Sequence, residues 1–114
     1  MGVIVAMGSA LSVSANAKSS DTVTGTFQYV PGVGVFSLYA KASATGMNCT
    51  FAVGGQTVCD DQAIPYTGTA GTLSDNDNRV LAQTLPGGRA QLFFRNTTAG
   101  AITVDYKLTY DRLK

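Results

Sequence analysis

The run Ile102-Thr103-Val104-Asp105-Tyr106-Lys107-Leu108-Thr109-Tyr110 decides the fold class. Ile102, Val104, Tyr106, Leu108 and Tyr110 alternate with Thr103, Asp105, Lys107 and Thr109. Successive side chains of a strand point to opposite faces, so this alternation marks a strand with one buried and one solvated face. It makes Val104 a core residue and turns Asp105 to water.

The same period runs upstream. Phe36, Leu38 and Ala40 share one parity, as do Met47, Cys49, Phe51 and Val53, and Val23, Gly25, Phe27 and Tyr29. Leu11, Val13, Ala15 and Ala17 alternate with Ser12, Ser14 and Asn16. Between these runs fall Pro31-Gly32, Gly54-Gly55, Gly68, Gly71, Pro86-Gly87-Gly88 and Gly100, the residues that turns demand. Strands are expected near 3–7, 10–17, 22–30, 33–42, 47–53, 56–59, 79–85, 89–96 and 101–110. Thr, Val, Tyr and Phe fill the runs, and no window carries a helical period. All seven acidic residues are Asp, a turn residue, and none is the helix former Glu.

Many short strands with Gly/Pro turns and no helices predict an all-β, single-domain antiparallel β-sandwich. The segment count is that of a jelly roll with an N-terminal strand or arm. An immunoglobulin-like sandwich is the alternative, without that fold's Trp or its cysteine spacing. The expected core comprises Phe27, Phe51, Leu92, Phe94, Ile102, Val104, Tyr106 and Leu108. Tyr29, Tyr106 and Tyr110 share core parity, which leaves Tyr39 and Tyr66 for exposed contacts.

The 114 residues suit one domain, divided here as an arm or edge strand over 1–18 and a sandwich over 19–114. Ala15-Asn16-Ala17 has the form of a signal-peptidase site, but no Lys or Arg precedes the apolar stretch. The segment is therefore read as part of the fold. Its apolar residues Val3, Ile4, Val5, Met7 and Leu11 lie either on their own domain or on a neighbouring copy, as an assembly arm.

Charged residues make up 13% of the chain, about half the usual ~25%. The eight basic residues are scattered singly and the net charge is +1, which speaks against specific nucleic-acid recognition. No apolar run reaches the ~18–20 residues of a membrane span. With no His and no Glu, the common acid–base, nucleophilic and zinc constellations cannot be built. The chain is thus expected not to be an enzyme and to need no cofactor or metal.

Four local features remain. Asp75-Asn76-Asp77-Asn78 alternates oxygen ligands as calcium loops do, but lacks their glycine and closing acid, so a solvated turn is the preferred reading. It closes a long Ala63–Asn78 loop. Asp60 and Asp61 are neighbours, which on a strand point to opposite faces and suit a turn. Cys49 and Cys59 flank Gly54-Gly55. A two-residue loop there places Thr50 opposite Cys59 and the thiols on opposite faces, whereas a three-residue loop places Cys49 opposite Cys59 and permits a disulfide. Two reduced thiols are preferred. Asn48-Cys49-Thr50 and Asn96-Thr97-Thr98 match glycosylation acceptors, a pattern common by chance, and receive no role.

The run Pro86-Gly87-Gly88-Arg89-Ala90-Gln91-Leu92-Phe93-Phe94-Arg95-Asn96-Thr97-Thr98, followed by Ala101-Ile102-Thr103-Val104-Asp105-Tyr106, is similar in texture to small all-β bacteriophage virion proteins. These include jelly-roll coat and decoration proteins. The resemblance implies a structural capsid or capsid-decoration subunit, located in the virion, that self-assembles into a homo-oligomer and touches other virion proteins. The absence of a basic arm argues against direct genome contact. A secreted carbohydrate-binding or adhesin/fibre module is the alternative.

Overall fold

The computed structural model describes residues 3–23, 29–74 and 78–112. Within them run β1 (Val3–Val13), β2 (Tyr29–Val30), β3 (Gly34–Ala42), β4 (Met47–Val53), β5 (Gln56–Ala63), β6 (Arg79–Leu85), β7 (Gly88–Asn96) and β8 (Ile102–Arg112). They form two four-stranded sheets, ordered β1-β8-β3-β6 and β2-β7-β4-β5.

The pairing is nested. β1 pairs with β8, β2 with β7, β3 with β6 and β4 with β5, all antiparallel. The chain is thus one long double-stranded ribbon, turned back at the β4–β5 hairpin and wound on itself. The β3–β8 and β4–β7 pairings join its turns into sheets. This is the jelly-roll order, and it excludes the immunoglobulin-like alternative. β1 is an edge strand of the first sheet, and its Val5, Ala6 and Val13 belong to the common core.

Alternation holds where both neighbours are strands. Phe36, Leu38 and Ala40 on β3 and Met47, Cys49, Phe51 and Val53 on β4 are buried, with half-buried residues between them. Phe36 meets Phe51 across the two sheets with ring centroids 5.7 Å apart, and Tyr110 at 5.0 Å. Phe94 meets Tyr106 at 5.1 Å. Of the expected core, Phe51, Leu92, Phe94, Ile102, Val104, Tyr106 and Leu108 are buried; Phe27 lies outside the described residues. Tyr29 departs from its expected parity: it opens the two-residue β2 at the sandwich rim and is 64% exposed.

The glycine turns pack against one another. A Cβ on Gly87 would stand 2.6 Å from the Gly32 nitrogen, and one on Gly88 2.7 Å from Gly54 Cα. Backbone meets backbone here, and only glycine leaves room. The expected strands 3–7 and 10–17 are one strand, β1, carried past two irregularities between Ile4 and Ala6 and between Gly8 and Leu11. Residues 17–22 then run beside β7 through Ser19 N–H to Phe94 O (2.7 Å) and Thr22 N–H to Leu92 O (2.9 Å).

Candidate functional site

Three places on this scaffold gather the chemistry-bearing residues. The first is the β1 edge. Val3 and Leu11 are half-buried and Val5 is buried, while Ile4 is 48% and Met7 64% exposed. The irregularity after Ile4 breaks the alternation and leaves both large side chains exposed. Val3, Val5, Val30, Pro31, Tyr110 and Arg112 line an apolar groove of about 180 Å³ at the same end of the sandwich.

The second is Asp105. The alternation turns it to the outer face, yet it is buried, at 3% exposure. Its Oδ1 accepts from Ala10 N–H (2.7 Å) and Ser9 Oγ (3.3 Å), and its Oδ2 from Gly71 N–H (2.7 Å). The cover comes from far away in sequence: the β1 irregularity on one side and the long loop on the other. Ala10 has a left-handed φ of 55°, a conformation costing on the order of 1 kcal/mol outside glycine that the carboxylate contact offsets. The loop is tied down elsewhere by a parallel bridge between Ala42 and Thr67 and by Lys41 Nζ donating to Thr72 O at 2.8 Å. Asp75, Asn76 and Asp77 lie outside the described residues. Among the described residues no group of three or more Cys or Asp side chains could hold a metal ion.

The third is the outer face of the second sheet, where β5 carries two bulges against β4. Pairing passes from Cys49–Gln62 to Phe51–Cys59, so Asp60 and Asp61 together oppose Thr50 alone. Asp61 takes a left-handed φ of 53°, and its N–H donates to Thr50 Oγ1 at 3.0 Å. The pair is therefore neither a turn nor split between faces. Both acids line one cleft of about 230 Å³ with Lys18, Thr50, Phe93 and Arg95. Arg95 grips Asp61 with two parallel bonds, Nε to Oδ1 at 2.9 Å and the terminal nitrogen to Oδ2 at 2.5 Å. The guanidinium holds the Asp61 carboxyl below its ordinary value. Lys18 Nζ lies 4.6 Å from the centre of the Phe93 ring. Sequence reading missed this cleft; its one local signal is the Asp-Asp pair inside a strand.

The same bulges settle the cysteine geometry. The turn is the two-residue Gly54-Gly55, with Val53 paired to Gln56, but Cys59 opposes Phe51 rather than Thr50. The thiols are thus both turned inward instead of lying on opposite faces. Both are free and buried, with Cys59 Sγ 4.0 Å from the Cys49 carbonyl oxygen. A hydrogen bond from Cys49 holds the Cys59 thiol down, at about 7, and that contact together with burial pushes Cys49 up.

Of the two tyrosines expected at exposed contacts, Tyr39 is half-buried with Lys107 Nζ 5.4 Å from its ring centre. Tyr66 is half-buried and donates its hydroxyl to Arg79 O at 3.1 Å. Neither lines the cleft. Asn96 is fully buried, its Nδ2 donating to Val13 O (3.0 Å) and Gly100 O (2.7 Å), so the amide of this acceptor pattern is already engaged.

No family model and no curated protein matches the chain. Among solved structures it is similar to the CBM36-1 domain of a multidomain xylanase from the hindgut metagenome of Trinervitermes trinervoides. The identity is 16% and the TM-score 0.42, over 100% of this chain and 99% of that one. At that distance the likeness assigns no role to any residue here. Among the described residues no helix is long and apolar enough to cross a membrane.

Proposed function

We infer that this protein is a non-catalytic structural subunit of a virion, a capsid or capsid-decoration protein of the bacteriophage kind. It assembles with copies of itself, and with other virion proteins, through the β1 edge. One observation carries the reading. β1 is an edge strand of 11 residues with no charge and no proline, and it exposes Ile4 and Met7. Edge strands of proteins that stay monomeric are short, charged, proline-bearing or covered, because an open edge invites another strand. The two irregularities of β1 bend this edge without charging it. A second copy adding β1 to β1 across a two-fold axis would extend the sheet and cover both exposed side chains.

Light scattering and electron microscopy of the purified protein test this. Dimers at least are expected, growing into large particles or lattices where further contacts or virion partners join them, and Ile4→Lys with Met7→Lys should leave a folded monomer. Point substitution is the right tool, because Val5 and Ala6 are core residues and deleting residues 2–9 would open the sheet. A monomer at every concentration, unchanged by the substitutions and silent toward virion proteins, refutes the reading. The alternative, a secreted carbohydrate-binding or adhesin module, draws support from the Phe93 cleft rather than from the edge.

A further inference from the structure

We propose that the cleft between Lys18, Thr50, Asp60, Asp61, Phe93 and Arg95 binds a neutral sugar ring of a polysaccharide or cell-surface glycan. The inference rests on the cleft and not on the β1 edge, so it stands or falls separately from assembly.

Charge comes first. Lys18 and Arg95 face Asp60 and Asp61, two cations against two anions, so the cleft offers no net attraction to a phosphate, a sulfate or a metal ion. The strongest acid–base contact is already internal, in the Asp61–Arg95 fork. What the rim presents is a dense mixture of donors and acceptors: the Arg95 and Lys18 N–H groups, the Asp60 and Asp61 oxygens and the Thr50 hydroxyl. A hydroxyl is donor and acceptor at once, and adjacent hydroxyls on a ring match a rim that alternates the two.

The floor comes next. Phe93 stands at an outward position of β7, between the buried Leu92 and Phe94, and is half-buried. An aromatic ring in the middle of a sheet face is an apolar platform for the C–H face of a pyranose. Lys18, whose Nζ lies over that ring, is exposed, so its charged head can stay in water when a ligand takes its place on the ring. The cleft is smaller than the ~300–1,000 Å³ of a drug-sized pocket, which suits one ring of a chain that continues into solvent.

The last argument is construction. A regular β5 would send Asp60 and Asp61 to opposite faces. The bulge, with Asp61 in a left-handed conformation, brings both to the cleft. Bulges recur where a side chain has to be re-aimed.

Calorimetric titration of the whole protein tests this with neutral hexasaccharides of glucose, mannose, xylose, galactose and N-acetylglucosamine, and with a sulfated hexasaccharide as the charged probe. At least one neutral probe should bind. Phe93→Ala and Asp61→Asn should each weaken that binding at least tenfold without losing the folded circular dichroism signal, and Phe93→Tyr should restore it. No binding by any neutral probe at millimolar concentration overturns the proposal. So does binding of the sulfated probe alone, or binding that survives Phe93→Ala. Phe93→Ala should assemble as the parent does, and Met7→Lys should bind sugar as the parent does, which keeps the two readings apart.

Discussion

Replacing Asp105 is the sharpest test of the architecture, because alternation along β8 alone makes it a harmless surface change. The carboxylate accepts two short backbone bonds on opposite oxygens, from Ala10 and from Gly71, each at 2.7 Å. An asparagine keeps one oxygen and turns an N–H group toward the other donor. One bond to a charged acceptor is lost, worth about 1.5–3 kcal/mol, and two donors are left facing each other. Asp105→Asn should therefore cost about 2–4 kcal/mol, and Asp105→Ala, which orphans both N–H groups, more. Against a typical total of ~5–15 kcal/mol these are large losses. At roughly 4 °C per kcal/mol for a domain near this size, the asparagine variant should melt about 8–16 °C lower. Thermal and urea unfolding followed by circular dichroism give the global figure. Hydrogen exchange gives the local one: the Ala10 and Gly71 amides should lose protection first. An asparagine variant within ~0.5 kcal/mol of the parent, the range of ordinary surface substitutions, would refute the clamp.

Three further outcomes follow from the same geometry. Asn96→Ala removes the Nδ2 donor from Val13 O and Gly100 O and the Oδ1 acceptor from Thr98 N–H and Oγ, leaving only the Thr98 Oγ–Gly100 O bond of this network, and should cost about 2–4 kcal/mol by urea unfolding. Gly87→Ala places a methyl group against the Gly32 backbone and should lower the melting temperature by more than 10 °C, whereas Gly100→Ala, where a Cβ meets nothing within 4 Å, should not on steric grounds. Burial raises the Tyr106 phenol above its ordinary value. A raised acid favours the fold while neutral, so this contribution is complete below the unfolded value of about 10 and drains away as pH climbs through the folded one. Stability should fall above about pH 10, and Tyr106→Phe should reduce that fall when urea midpoints at pH 9 and 11 are compared.

Much of the fold is legible in the residues because a period of two is a local property. On β3, β4 and β8 it identifies the inward side chains, since those strands have neighbours on both sides and keep their pleat in step. Strand order is not local, and the jelly-roll winding follows from pairings between segments as distant as Val3 and Tyr110. Asp105 illustrates the limit. Its parity is read correctly and its exposure is not, because a loop from residue 71 and a distortion at residue 10 cover the outer face.

Alternation fails most plainly where a bulge inserts a residue, and those insertions sit beside the polar sites. Ala10 and Asp61 are two of the three described non-glycine residues with positive φ, at 55° and 53°. Each stands in an edge strand, where the missing outer neighbour allows an extra residue to be accommodated. Ala10 turns its N–H to Asp105, and Asp61 turns its carboxylate to Arg95 and Phe93. A one-residue insertion reverses every later side chain, so the composition of β5 hides the cleft while its neighbour β4 reads cleanly. The third such residue, Asn16, lies in the turn after β1 and bonds Thr98 O through its N–H at 3.0 Å. The same edges that blur the pattern are therefore the ones that build the clamp on one sheet and the cleft on the other.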